Sequence, residues 1–175
     1  GIGMTVINNL AISVEGFIAD IIFEHIEYTE GLKKLYSTDI DRMTWYAKKN
    51  LYNKLFTKKL EEYLFYEAIA VLMNFRNNLA HGRTYSELTT REISGGENSL
   101  IESDNQNYQT VREYLIKQTI LKNTNVSSNT EVPWNLMAMT HFAGVVRFFL
   151  QNILNENESK FKLGIDTEFK LAYNI

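Results

Sequence analysis

Tyr63-Leu-Phe-Tyr-Glu-Ala-Ile-Ala-Val-Leu-Met-Asn-Phe-Arg-Asn-Asn-Leu-Ala-His-Gly82 is an almost unbroken apolar run that ends in a polar cluster, Arg76, Asn77, Asn78 and His81. At about 3.6 residues per turn, Leu64, Ala68, Val71, Leu72, Phe75 and Leu79 fall on one stripe, while Tyr63, Ile69, Ala70 and Met73 make the other faces apolar as well. A helix that is apolar nearly all round is a buried helix. Gly82 follows His81 where such a helix closes, because glycine accepts the left-handed backbone that ends the last turn. The polar cluster therefore occupies the last two turns. Asn77 and His81, four apart, share a face, whereas Arg76 and His81, five apart, point roughly 140° apart around the axis. One copy aims these two side chains apart. A two-fold axis gathers two such pairs around one cleft, because an isologous interface presents the same patch twice.

Working outward, the rest of the chain reads as one all-α domain. Its 175 residues, 45% hydrophobic, supply a single core of ordinary size. One proline and nine glycines, with little sign of short strands between regular turns, fit a helical protein better than a β-sandwich. Gly1-Ile-Gly3 before Met4 reads as a cloning remnant, so the expected domain spans residues 4–175. Val6, Leu10, Val14, Phe17, Ile18, Ile21 and Ile22 form the stripe of a first amphipathic helix reaching to Tyr28, with Gly31 as its punctuation. This segment lacks a basic leader and is interrupted by Asn8, Asn9, Glu15 and Asp20, so neither export nor a membrane span is expected.

Thr38 or Asp39 is the expected cap of a second helix, whose apolar positions Met43, Trp45, Tyr46, Leu51, Leu55, Phe56 and Leu60 recur at three and four. After the apolar run, residues 84–110 turn to Ser, Thr, Glu, Asn and Gly and read as an inserted loop, with a short hairpin around Gly95-Gly96 as an option. Val111, Tyr114, Leu115, Gln118 and Leu121 predict a short helix. Pro133 opens a last one over Trp134 to Leu154, which should pack beside the motif helix. The sum is a helical bundle of about five helices.

A net charge of −3 and a pI of about 5.7 argue against tight, non-specific binding to duplex DNA. They leave room for a local basic patch that touches a few phosphates of a single strand. Lys48, Lys49, Lys54, Lys58 and Lys59 crowd one stretch, interleaved with Trp45, Tyr46, Tyr52 and Phe56. One reading is a phosphate-attracting face whose aromatics stack on unpaired bases, at roughly 1 to 3 kcal/mol per base. The other, which carries more weight, is a solvated face over a buried one, since these aromatics are also what a core needs.

Zero cysteines exclude disulfides, thiolate metal sites and a cysteine nucleophile, which suits the cytoplasm. His25, His81 and His141 are scattered, and no aspartate or glutamate neighbours the motif in sequence. No metal or other cofactor is therefore expected. Nucleotide-binding glycine loops and a serine nucleophile elbow are missing as well. His141 and Arg147, on the last predicted helix, read as core-edge or surface residues.

Arg76-Asn-Asn-Leu-Ala-His81-Gly82 resembles the signature of the HEPN superfamily: an arginine, usually a polar residue next to it, four to six intervening positions in all, then a histidine late in a core helix. The resemblance covers seven residues. It implies a helical bundle, often a homodimer, and in many members a metal-independent endoribonuclease acting at a composite dimer site. Others are toxins, antiviral nucleases or inactive binding modules. HEPN toxins paired with nucleotidyltransferase antitoxins tend to carry a tyrosine two residues after the histidine. Arg83 stands there in this chain and Tyr85 two places later, which separates the chain from that subgroup unless Tyr85 substitutes.

The chemistry needs no metal. The 2'-hydroxyl of RNA attacks the adjacent phosphorus and expels the 5'-oxygen, leaving a 2',3'-cyclic phosphate. Histidine titrates near neutral pH and serves as general acid or base, and the negative end of the helix dipole favours the protonated form of His81. Arg76 forks its donors onto phosphate oxygens. Asn77 supports the imidazole or the phosphate, while Asn78 points roughly 100° away from Asn77. The expected catalytic residues are thus Arg76, Asn77 and His81, with Lys48, Lys49 and Arg83 as RNA contacts. Expected partners are single-stranded or transfer RNA, a second copy of the chain and a cognate inhibitor or antitoxin, with no membrane. Two rival readings remain open: a HEPN-like module that binds RNA or protein without cutting, and a purely structural bundle in which Arg76 and His81 cap a helix.

Overall fold

The structure is a computed structural model that describes residues 2–30, 37–80, 111–120, 136–157 and 173. Among these residues the protein is almost wholly helical and no strand occurs, in agreement with the all-α expectation. Six α-helices are described: α1 (Ile2–Glu30), α2 (Ser37–Arg42), α3 (Trp45–Leu55), α4 (Tyr66–Ala80), α5 (Val111–Lys117) and α6 (Leu136–Asn157). A single 3-10 turn, Leu60–Glu62, lies between α3 and α4. Residues 84–110, with Gly95-Gly96, fall outside the described residues, as do Pro133 and Trp134.

α1 is the spine. It packs against α2, α3, α4 and α6, and its buried stripe holds the expected Val14, Phe17, Ile18, Ile21 and Ile22, but in the first turns Ile7 and Ala11 are buried where Val6 and Leu10 were expected. Isoleucine and valine are mediocre helix formers, so this helix is held by what it buries rather than by intrinsic propensity. Its stretch from Ile2 to Ile26 is long and apolar enough to cross a bilayer, with a mean hydropathy of 1.6, and half of the most apolar window is buried against the other helices. Phe17, Tyr52, Phe142 and Phe149 are the largest fully buried side chains, so α1, α3 and α6 meet in one core.

The second predicted helix is in fact two. The chain leaves helical geometry at Met43, and Thr44 takes an extended conformation (φ −63°, ψ 159°) in which its hydroxyl accepts from the Ala47 backbone N–H at 3.2 Å. That bond satisfies one of the donors a helix start leaves open. Thr44, not Thr38 or Asp39, therefore caps the helix that carries the lysines, and this division raises the expected five helices to six.

The motif helix also starts later than its apolar pattern suggests. Asn53 and the acidic side chains organise the 3-10 turn: Leu60 N–H donates to Asn53 Oδ1 at 2.9 Å and Lys59 N–H to Glu62 Oε2 at 2.6 Å. Phe65 then takes a left-handed backbone (φ 70°), strained for a side chain of its size, and its carbonyl accepts from the Ala68 and Ile69 N–H groups as α4 begins. Leu64, expected on the core stripe, sits in that turn and is 67% exposed. From Ala68 onward the expectation holds: Ala68, Ile69, Val71, Leu72, Met73 and Phe75 are all buried. α4 packs on α1, α5 and α6, so the motif helix does lie beside the last helix, but its main neighbour is α1.

Candidate functional site

Arg76 lies near the C-terminal end of α4, where the buried face of the helix meets solvent. Its Nη1 donates to Glu15 Oε1 of α1 at 2.9 Å, across 61 positions of sequence. The arginine side chain keeps 32% of its surface exposed, whereas Glu15 as a residue is only 7% exposed. Asn77, one position on, is exposed. Asn78 belongs to α4, but its side chain lies outside the described residues, as do the whole of His81, Arg83 and Tyr85. Of the expected catalytic set, the described residues thus contain Arg76 and Asn77.

The sequence places no acid beside the motif, yet the fold brings one. Glu15 occupies a position on the stripe Ala11, Glu15, Ile18, Ile22, whose other members are all buried and apolar. A carboxylate inserted into such a stripe is the signal that identifies it, because a buried charge demands a partner. Read only as a polar interruption of an apolar segment, it gives no hint of which cation it meets.

The two lysines assigned to RNA have definite surroundings. Lys48 is buried at 5% exposure and lies close enough to Asp20 of α1 to influence that carboxyl. Asp20 itself is held above the usual carboxylate range chiefly by burial, and its carboxylate accepts from the Tyr173 hydroxyl, whose ring stands edge-on to Phe17. Lys49 pairs with Glu61 at 2.8 Å and lies 5.5 Å from the centroid of the exposed Tyr46 ring. Burial acts to lower the Lys49 pKa, but the Glu61 hydrogen bond and nearby charges outweigh it and hold the amine above its ordinary value. The basic stretch is therefore neither a uniform solvated face nor a row of unengaged cations: the segment between α2 and α4 satisfies part of its own charge.

Two further polar groupings went unnoticed in the sequence. Asn157, at the end of α6, donates through Nδ2 to Tyr52 Oη at 3.0 Å, to Tyr63 Oη at 3.3 Å and to the Ile153 carbonyl at 2.8 Å. Burial raises the pKa of both tyrosines. A recess of about 330 Å³, lined by Thr57, Lys58, Glu62, Glu156 and Asn157, opens beside this group and does not include Arg76. On α5, Tyr114 Oη lies 2.7 Å from His141 Nε2 of α6. Burial lowers the His141 pKa and pushes the Tyr114 hydroxyl up to about 12. His141 is thus a partly buried core-edge residue, as expected, and Arg147 is exposed.

No protein-family model, curated protein or solved structure matches the chain.

Proposed function

We propose that this protein is a metal-independent endoribonuclease of the HEPN kind, of toxin or antiviral-defence type, acting in the cytoplasm as a homodimer on single-stranded or transfer RNA. The observation that carries the reading is the position of Arg76. It is a permanently charged side chain at the end of a buried helix, anchored on one side and open to solvent on the other. A fixed guanidinium of this kind stabilises the charge that builds on a phosphodiester during transesterification, and such stabilisation is often the largest single contribution to catalysis. His81, five positions on, supplies the proton transfer, Asn77 lies beside the arginine on the exposed side, and a second copy completes the cleft. No cofactor takes part.

The test is cleavage of mixed single-stranded and transfer RNA in EDTA by the wild type, Arg76→Ala and His81→Ala, with a matched DNA as control. RNA cut to cyclic phosphate ends by the wild type alone, with the DNA intact, supports the proposal. A second reading has support from the same pair: an arginine bound to a buried glutamate also ties α4 to α1, as in a HEPN-like module that binds RNA or protein without cutting. Retained RNA binding with no cleavage by any of the three proteins favours that module. Cleavage that survives in both variants refutes the assignment of the site.

A further inference from the structure

The Glu15 carboxylate lies inside the bundle, on the face of α1 that is otherwise alanine and isoleucine. Arg76 reaches it from α4 with one nitrogen at 2.9 Å. Guanidinium carries five N–H donors in a rigid plane, and among the described residues Arg76 has no other hydrogen-bond partner. The pair is polarised: its negative member is enclosed, and its positive member spans the boundary between core and solvent. An arginine left to itself at a helix end samples many rotamers. One clamped from within presents the same donors at every encounter.

We infer that Glu15 is the positioning residue of the site, holding the Arg76 guanidinium in one orientation so that its outward donors receive a phosphodiester oxygen. The inference rests on the endoribonuclease reading above and deepens it by adding a residue from a different helix. Glu15 itself does not reach the RNA. Its effect on cleavage runs wholly through Arg76, which separates it from a residue that merely joins two helices.

The experiment is a double-mutant cycle on RNA cleavage in EDTA with the full chain: wild type, Glu15→Gln, Arg76→Ala and the double variant, each also followed by thermal unfolding. Glu15→Gln should lower kcat by about tenfold to a hundredfold, the scale of a small misplacement of a catalytic group, with KM within about threefold. In the Arg76→Ala background the same change should cost nothing further. An unchanged kcat in Glu15→Gln, or an equal loss in both backgrounds, overturns the proposal. Should Glu15→Gln not fold, Glu15→Asp keeps the charge and withdraws it by one methylene: a reduced kcat at unchanged KM supports positioning, and full activity overturns it.

If the wild type cuts no RNA, the nuclease reading fails separately, and the orientation is then read by nitrogen-15 NMR of the Arg76 side chain during titration with inorganic phosphate. A response in the wild type that disappears in Glu15→Gln supports the positioning role. An equal response in both proteins, or none in the wild type, overturns it.

Discussion

Two of the polar inclusions among the described residues are of opposite design. Tyr52, Tyr63 and Asn157 are neutral and buried, and one amide nitrogen is shared among two hydroxyls and a carbonyl. Glu15 and Arg76 are charged, and only the acid is fully enclosed. The first group turns its hydrogen bonds inward, which fixes the mutual placement of α3, α6 and the turn before α4. The second leaves the arginine partly exposed, and on the proposed function its remaining donors meet a phosphodiester there. On that proposal stability and function fall to different polar clusters, which differ in exposure.

The largest effect expected is on activity. Arg76→Ala should reduce RNA cleavage per folded molecule by about two to three orders of magnitude, and it should also lower the unfolding midpoint, because it strands the buried Glu15 carboxylate. Initial rates beside a melting curve check both halves. Asn157→Ala should act on stability alone, costing about 1 to 3 kcal/mol by taking the amide donor from the buried Tyr52 and Tyr63 hydroxyls, which are left with each other, with cleavage per folded molecule retained. Urea unfolding followed by circular dichroism measures the loss. A stable Asn157→Ala protein without activity would erase the distinction between the two clusters.

A third cluster, Tyr114 and His141, should add a pH dependence to stability at both the alkaline and the acid end. The Tyr114 hydroxyl, raised from 10.0 to about 12 chiefly by burial, keeps its proton in the folded state after the unfolded chain has lost it. Stability is therefore complete below pH 10.0 and declines as pH rises toward about 12, with the raised Tyr52 and Tyr63 acting in the same direction. His141 works oppositely: burial lowers its pKa below 6.5, so the unfolded chain takes up the proton first and stability falls as pH drops through that value. Urea midpoints across the pH range should show a plateau between the two limbs, and His141→Gln should flatten the acid one. The smallest effect belongs to the exposed ion pair Lys117–Glu67, whose side chains are 60% and 45% exposed. Lys117→Ala should shift stability by no more than about 0.5 kcal/mol in the same unfolding assay, in contrast to any change at Glu15.

The apolar period made α1, α4, α5 and α6 readable, because each buries a stripe that recurs every three or four residues. The break at Thr44 was harder to see. Apolar residues continue at helical spacing on both sides of it, and Thr44 has alanine rather than an acid three places later, so no reciprocal capping pattern marks it. Leu64 was misassigned for a related reason: the periodicity runs on through a turn that Phe65 makes with a backbone conformation normally left to glycine. The place of Arg76 near the end of α4 was legible from the apolar run that precedes it. Glu15 was not, since its role depends on a pairing across 61 positions that only the docking of α1 on α4 creates. The burial of Lys48 has the same origin, because a charge pattern along one helix does not reveal which neighbour covers it.

The central place of α1 has a consequence for how the protein is made. α1 packs extensively on α6, yet roughly a hundred residues separate Glu30 from Leu136. At a ribosomal rate of about 5 to 20 residues per second, the spine emerges some 5 to 20 seconds before the helix that covers it. During that interval a long apolar helix has α2, α3 and α4 beside it but lacks α6, so one of its faces stays uncovered until α6 leaves the exit tunnel.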